Sequence, residues 1–173
     1  WQKLHARRSS STFWLGAASA SSGERNAQAH IPWSNGQIYW DTAGCCDGRT
    51  TRITRAWDGG LGEGHHFVFL KDGDRKAIYI DGELFHEGNN SAWLKADWSV
   101  AAIGSNNAGG TTVAAAVDEF AVFASALTEE EILRLKLFVK APSPLRSAGA
   151  PQRVLHVGQS FSLNSIQCSA LSP

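Results

Sequence analysis

The chain has 173 residues, 43% of them hydrophobic and 18% charged, which suits one domain of ordinary size and excludes a disordered chain. No apolar run approaches the roughly 20 residues that span a bilayer, so membrane insertion is not expected. The formal net charge is zero, yet residues 9–131 hold eight Lys and Arg against all sixteen Asp and Glu, and such an acidic middle repels phosphate backbones and argues against nucleic acid.

The chain begins at Trp1 and contains no Met, which reads as a fragment or processed product with any signal peptide outside it. Nothing before Ser11 reads as a strand. From there, short strand-like segments alternate with turns: Thr12–Ser19, Gln37–Asp41, Thr50–Trp57, His65–Lys71, Lys76–Asp81, Glu83–His86, Trp98–Gly104 and Thr112–Ala124. Their separators are rich in Gly, Asn and Asp, which predicts an all-β antiparallel sandwich or barrel. Asp81-Gly82 can supply the two positive φ values of a type I′ turn, so residues 77–85 should form a hairpin.

Alternation assigns faces. Ile38 and Trp40 oppose Gln37, Tyr39 and Asp41, whereas Arg52, Thr54 and Ala56 oppose Ile53, Arg55 and Trp57. His66-Phe67-Val68-Phe69-Leu70 and Phe120-Ala121-Val122-Phe123 are apolar on both faces and belong inside stacked layers. One helix follows. Thr128 and Glu131 make a capping box, Leu127 and Ile132 a staple, and Glu129–Glu131 face the positive dipole end. Pro142 and Pro144 should stop it, leaving residues 142–173 as a linker or disordered tail.

Three cysteines, Cys45, Cys46 and Cys168, contain no C-x-x-C spacing and cannot complete a zinc site. A bond between the neighbours Cys45 and Cys46 is possible but strained, and free thiols or one bridge to Cys168 suit them better. Zinc at His65, His66 and His86 is disfavoured because His65 and His66 point to opposite faces of a strand.

Gly64-His65-His66-Phe67-Val68-Phe69, Ala77-Ile78-Tyr79-Ile80-Asp81-Gly82, Ala102-Ile103-Gly104, Val117-Asp118-Glu119-Phe120-Ala121-Val122-Phe123 and Ala126-Leu127-Thr128-Glu129-Glu130-Glu131-Ile132 follow one another in order. This succession resembles the laminin-G-like jelly-roll domains of the concanavalin A-like lectin and glucanase superfamily. The resemblance implies a two-sheet jelly-roll sandwich over residues 11–141, with one short C-terminal helix and residues 1–10 as a fragment end. The family opens with a further strand before the segment matching Ser11–Leu15, so that strand, the neighbour of Thr112–Ala124, is expected to be missing. His65 stands where the family usually has a Trp.

Some members of this superfamily are glucanases, whose chemistry needs two carboxylates about 5–5.5 Å apart, readily supplied by alternate strand residues. No E-x-D-x-x-E pattern occurs, and Asp118 and Glu119 are adjacent, so an enzyme is not expected. Calcium suits an acidic core better than zinc does, and the resemblance points to Asp118 as its ligand; a plain backbone hydrogen bond is the competing role. No cofactor is otherwise expected.

Seven Trp and two Tyr favour sugar stacking. The carbohydrate-binding candidates are Tyr39, Asp41 and Arg52 on the polar faces, with Trp57 and the loop residue Trp93. An internal salt bridge on a solvated sheet explains Tyr39, Asp41 and Arg52 equally well. The expectation is a non-catalytic, lectin-like module of a secreted or cell-surface protein, beside other domains of the same parent chain. Its partner would be a glycan; the alternative is a protein-interaction or architectural spacer domain that meets an extracellular protein.

Overall fold

The computed structural model describes residues 1–21, 24–45, 51–106 and 111–137. The expected tail at 142–173, the prolines expected to stop the helix, Cys46 and Cys168 lie outside the described residues.

Eleven strands form three antiparallel sheets, and one helix completes the described fold. The five-stranded sheet has the order β10 (Val100–Ile103), β2 (Phe13–Gly16), β3 (Ala27–His30), β4 (Gln37–Thr42), β5 (Arg52–Ala56). Facing it are two three-stranded sheets. One is β11 (Ala114–Val117), β1 (Gln2–Ala6), β6 (Gly64–His65); the other is β7 (Phe67–Asp72), β8 (Arg75–Ile80), β9 (Glu83–Asn89). Only His66 separates β6 from β7, and its N–H donates to Asp81 Oδ1 at 2.9 Å.

The main core fills the space between these layers. Phe13, Leu15, Ala27, Ala29, Ile38, Trp40 and Ile53 from the five-stranded sheet meet Ile78, with Phe67, Phe69 and Ile80 beside it. The other faces of β7 and β8 carry Val68, Leu70, Ala77 and Tyr79, which pack with Ile132 and Leu127. The doubly apolar run from Phe67 to Leu70 thus serves two cores at once. Lys76 shares the inward parity of Ile78 and is fully buried. Its Nζ donates to the carbonyls of Trp40 at 2.7 Å and Thr51 at 2.8 Å, and burial pushes its pKa down to about 7.

The hairpin turns where expected, with φ of 53° at Asp81 and 86° at Gly82. Helix α1 (Glu129–Leu137) is capped as expected: Glu131 N–H donates to Thr128 Oγ1 at 3.2 Å, and Thr128 N–H donates to Glu131 Oε2 at 2.8 Å.

Three expectations are overturned. The opening strand is not missing: β1 pairs with β11, Gln2 opposite Val117, and with β6, Gln2 opposite His65. Residues 1–10 are therefore not a fragment end outside the sandwich. Its sequence hides this role because Leu4 is the only strongly apolar residue in Gln2–Ala6. Next, the strand expected over Thr112–Ala124 is shorter, because Glu119 at φ 51° leaves the extended conformation soon after Val117. Phe120 and Val122 still pack on the main core. Finally, β3 falls where no strand is expected, and all four of its residues are buried.

Candidate functional site

The face of the five-stranded sheet turned away from the main core is polar, and strand register builds a site there. Gln28, Asp41 and Arg52 stand opposite one another across β3, β4 and β5. His30, Tyr39 and Thr54 form the next row. Period-2 alternation puts Ala27, Ala29, Ile38, Trp40 and Ile53 into the core and sends these polar side chains outward.

Asp41 is the hub, with no exposed surface. Its Oδ1 accepts from Arg52 Nε at 2.5 Å, and its Oδ2 accepts from Arg52 Nη2 at 2.7 Å and Arg25 Nη1 at 2.9 Å. The two-toothed Arg52 contact fixes the carboxylate plane. Hydrogen bonding to Asp41 raises the Arg52 pKa, whereas desolvation lowers that of Arg25, against the pull of the same carboxylate. His30 Nδ1 lies 3.0 Å from the Ser10 carbonyl and can only donate to it, so in the neutral ring Nε2 carries no proton, 3.8 Å from Asp41 Oδ2. Burial lowers the His30 pKa to about 4, so the ring is neutral at pH 7.

Aromatic rings border this network. The Arg52 guanidinium lies over the Tyr39 ring, 4.3 Å from its centroid, and Asn35 Nδ2 donates to the Tyr39 hydroxyl at 2.8 Å. Trp33 meets His30 edge-on at 4.6 Å between centroids. Arg25, Gln28, His30, Trp33, Tyr39 and Arg52 line a cavity of about 390 Å³, bordered on one side by Ser9, Ser10 and Ser11.

The structure therefore brings Tyr39, Asp41 and Arg52 together. The salt bridge expected between Asp41 and Arg52 exists, and it is buried rather than solvated. It also underlies a cavity. One face of the Tyr39 ring is taken by Arg52, which leaves Trp33 as the half-buried ring at the cavity wall.

Two other expected sugar contacts lie elsewhere. Trp57 is on the core face of the sheet, against Phe67 at 5.5 Å and His65 at 5.4 Å between ring centroids, because its parity matches Ile53 rather than Arg52. Trp93 is 90% exposed in the loop over residues 91–99 and does not line the cavity. Asn26 fastens that loop, donating to the Lys95 carbonyl at 3.1 Å and the Asp97 carbonyl at 2.7 Å.

Asp118 Oδ1 accepts from the Glu119 N–H at 2.9 Å. Among the described residues no group of three or more His, Cys, Asp or Glu could hold a metal ion. His65 instead contacts Asp81, Nδ1 to Oδ2, at 2.7 Å. Cys45 is disulfide-bonded.

Sequence reasoning misses Arg25, Gln28, His30 and Trp33. For Gln28 and His30 the signal is present, as strict alternation in Ala27-Gln28-Ala29-His30. Alanine is a poor strand former, so the pattern reads weakly. Arg25 precedes β3 and no local pattern announces it.

A family model, Laminin_G_3, described as concanavalin A-like lectin/glucanases superfamily, matches residues 1–133. No curated protein matches the chain.

Proposed function

The chain belongs to the concanavalin A-like lectin/glucanases superfamily, as a laminin-G-like domain, and from that premise we propose that it is a non-catalytic glycan-binding module of a larger secreted or cell-surface protein. The observation that carries this reading is the polar cavity on the outward face of the five-stranded sheet. It combines an aromatic wall at Trp33, a guanidinium at Arg52 and the hydroxyl-bearing Ser9–Ser11 segment. Sugars bind in this way: C–H faces lie on a ring while planar polar groups hold hydroxyls.

The placement of the carboxylates supports binding without hydrolysis. No Asp or Glu is among the described residues lining the cavity, and both oxygens of Asp41 accept from arginine. A general acid and a nucleophile or base have no obvious seat there. The Cys45 disulfide supports an oxidising, extracytoplasmic setting. No helix among the described residues is long and apolar enough to cross a membrane.

A glycan-array screen of the chain, repeated with Trp33→Ala, tests this function. Selective retention of a glycan class, lost in the variant with an unchanged circular dichroism spectrum, is the expected outcome. No retained class, or full retention by Trp33→Ala, would overturn it. The exposed Trp93, Leu94 and Trp98 favour a second reading, a protein-interaction domain. That reading predicts a partner whose binding is lost in Trp93→Ala and kept in Trp33→Ala.

A further inference from the structure

We propose that the cavity takes a single neutral pyranose and recognises it by two hydroxyl protons, one given to Gln28 Oε1 and one to His30 Nε2. The proposal deepens the glycan reading above and rests on it.

The charged groups of the cavity are engaged with one another. Asp41 accepts from Nε and Nη2 of Arg52 and from Nη1 of Arg25, and it has no exposed surface of its own. No guanidinium proton and no carboxylate oxygen is therefore assigned to the sugar. The rest of the wall includes the side chains of Gln28, His30, Trp33 and Tyr39, with the Ser9–Ser11 segment. The Tyr39 hydroxyl already accepts from Asn35, and the Ser9 hydroxyl already pairs with that of Ser34 at 2.7 Å.

Two groups of this wall are acceptors that lack a proton. Gln28 is 3% exposed, and its Nε2 donates to Ser11 Oγ, which orients the amide. Its Oε1 is buried with no hydrogen-bond partner among the described residues. A buried carbonyl oxygen without a donor is costly, and a ligand hydroxyl would remove that cost. His30 is held in one tautomer by the Ser10 carbonyl at Nδ1, so its Nε2 keeps a lone pair. That nitrogen faces Asp41 Oδ2 at 3.8 Å, a second acceptor with no proton to offer. Burial keeps the ring neutral at pH 7, so Nε2 remains an acceptor there.

Spacing suits one sugar ring. Gln28 and His30 are two residues apart on β3, on one face and about 7 Å from each other along the strand. Two hydroxyls of a single ring can donate to acceptors placed in this way. Trp33, edge-on to His30 at 4.6 Å, offers apolar surface to the ring carbons. A volume of about 390 Å³ is near the lower end of small-ligand pockets, which run to roughly 1,000 Å³. A sugar carboxylate at either position would set acceptor against acceptor, which favours a neutral ring over a uronate.

Titration calorimetry of the intact chain at pH 7 tests this, with the methyl glycosides of glucose, galactose and mannose as probes. Each binder is then compared with its deoxyfluoro analogues, in which fluorine replaces one hydroxyl and removes its proton. Two ring positions should each lose about tenfold in affinity, and the matching uronate should bind no tighter than the neutral sugar. In Gln28→Met, with an unchanged circular dichroism spectrum, one of the two losses should vanish and the other persist. Analogues that bind as well as the parent at every position, or a uronate that binds tighter, would overturn the proposal. So would persistence of both losses in folded Gln28→Met; if that variant does not fold, the analogue series decides alone. Binding of none of the three glycosides would also overturn it, while retention of another glycan on the array would still support the broader reading.

Discussion

Replacing Asp41 by Asn removes one charge and almost no volume, so it isolates the electrostatics of the buried hub. In the native protein one carboxylate accepts three hydrogen bonds from two guanidiniums, at 2.5, 2.7 and 2.9 Å. After Asp41→Asn, Arg25 and Arg52 keep their positive charges and lose the carboxylate that joins them. Removing one partner of a buried ion pair typically costs about 3–5 kcal/mol, mainly through the charge left behind. Arg25 bears most of that cost because it is buried, while Arg52, about one-fifth exposed, recovers part of its hydration. The expected loss is thus about 3–4 kcal/mol, or a fall of roughly 10–15 °C in melting temperature for a chain of this size. Urea unfolding followed by tryptophan fluorescence measures it directly. Adding Arg25→Met to Asp41→Asn should restore part of the loss, since the second change removes one of the two like charges. A penalty below about 1 kcal/mol, insensitive to that second change, would mean that water reaches both guanidiniums and would refute the buried-hub argument.

Two further outcomes are expected. Thr128→Ala should destabilise the domain by about 0.5–2 kcal/mol through loss of the hydroxyl that caps Glu131 N–H; an unchanged urea midpoint would show that this cap contributes nothing. The pH profile follows from burial of His30 and His66, both lowered from 6.5 to about 4, and of Lys76, lowered from 10.5 to about 7. For each group the unfolded chain binds more protons between the two values, so stability falls as pH drops from about 6.5 to 4 and rises from about 7 to 10. Each histidine is worth on the order of 3 kcal/mol over its window, and urea midpoints that stay flat between pH 6.5 and 4 would contradict their burial.

Elements with strong local grammar are legible in the sequence. The Asp81-Gly82 turn, the capping box at Thr128 and the alternating strand around Ile38 and Trp40 each carry their instructions within a few residues. Elements defined by distant partners are not. Gln2–Ala6 has an unremarkable sequence and becomes a strand because β6 and β11 flank it. Ala27–His30 alternates correctly, yet two alanines give little strand propensity. The site divides along the same line. Asp41 and Arg52 face each other in register and can be paired from sequence, whereas Arg25 reaches Asp41 from outside any recognisable pattern. Trp57 shares the inward face of Ile53, so its own parity already excludes it from the polar row. The burial of Asp41 stays hidden because a charged residue on a strand ordinarily signals a wet face, and only its two arginine partners allow the exception.

The position of β1 sets an order of events during folding. Its register joins Gln2 to Val117 on one side and to His65 on the other, so both edges of β1 are claimed by segments made later. On a ribosome, residues 2–6 emerge before β6 and β11 and must wait until both have left the exit tunnel. Closing a loop from Gln2 to Val117 carries a large entropic cost that local contacts cannot offset, which places this sheet among the slow, late steps of assembly. Until then β1 is an unpaired strand carrying Leu4, open to association with another nascent chain. A chaperone or a neighbouring domain that shields this segment would raise the yield of folded protein without touching the polar cavity of the five-stranded sheet.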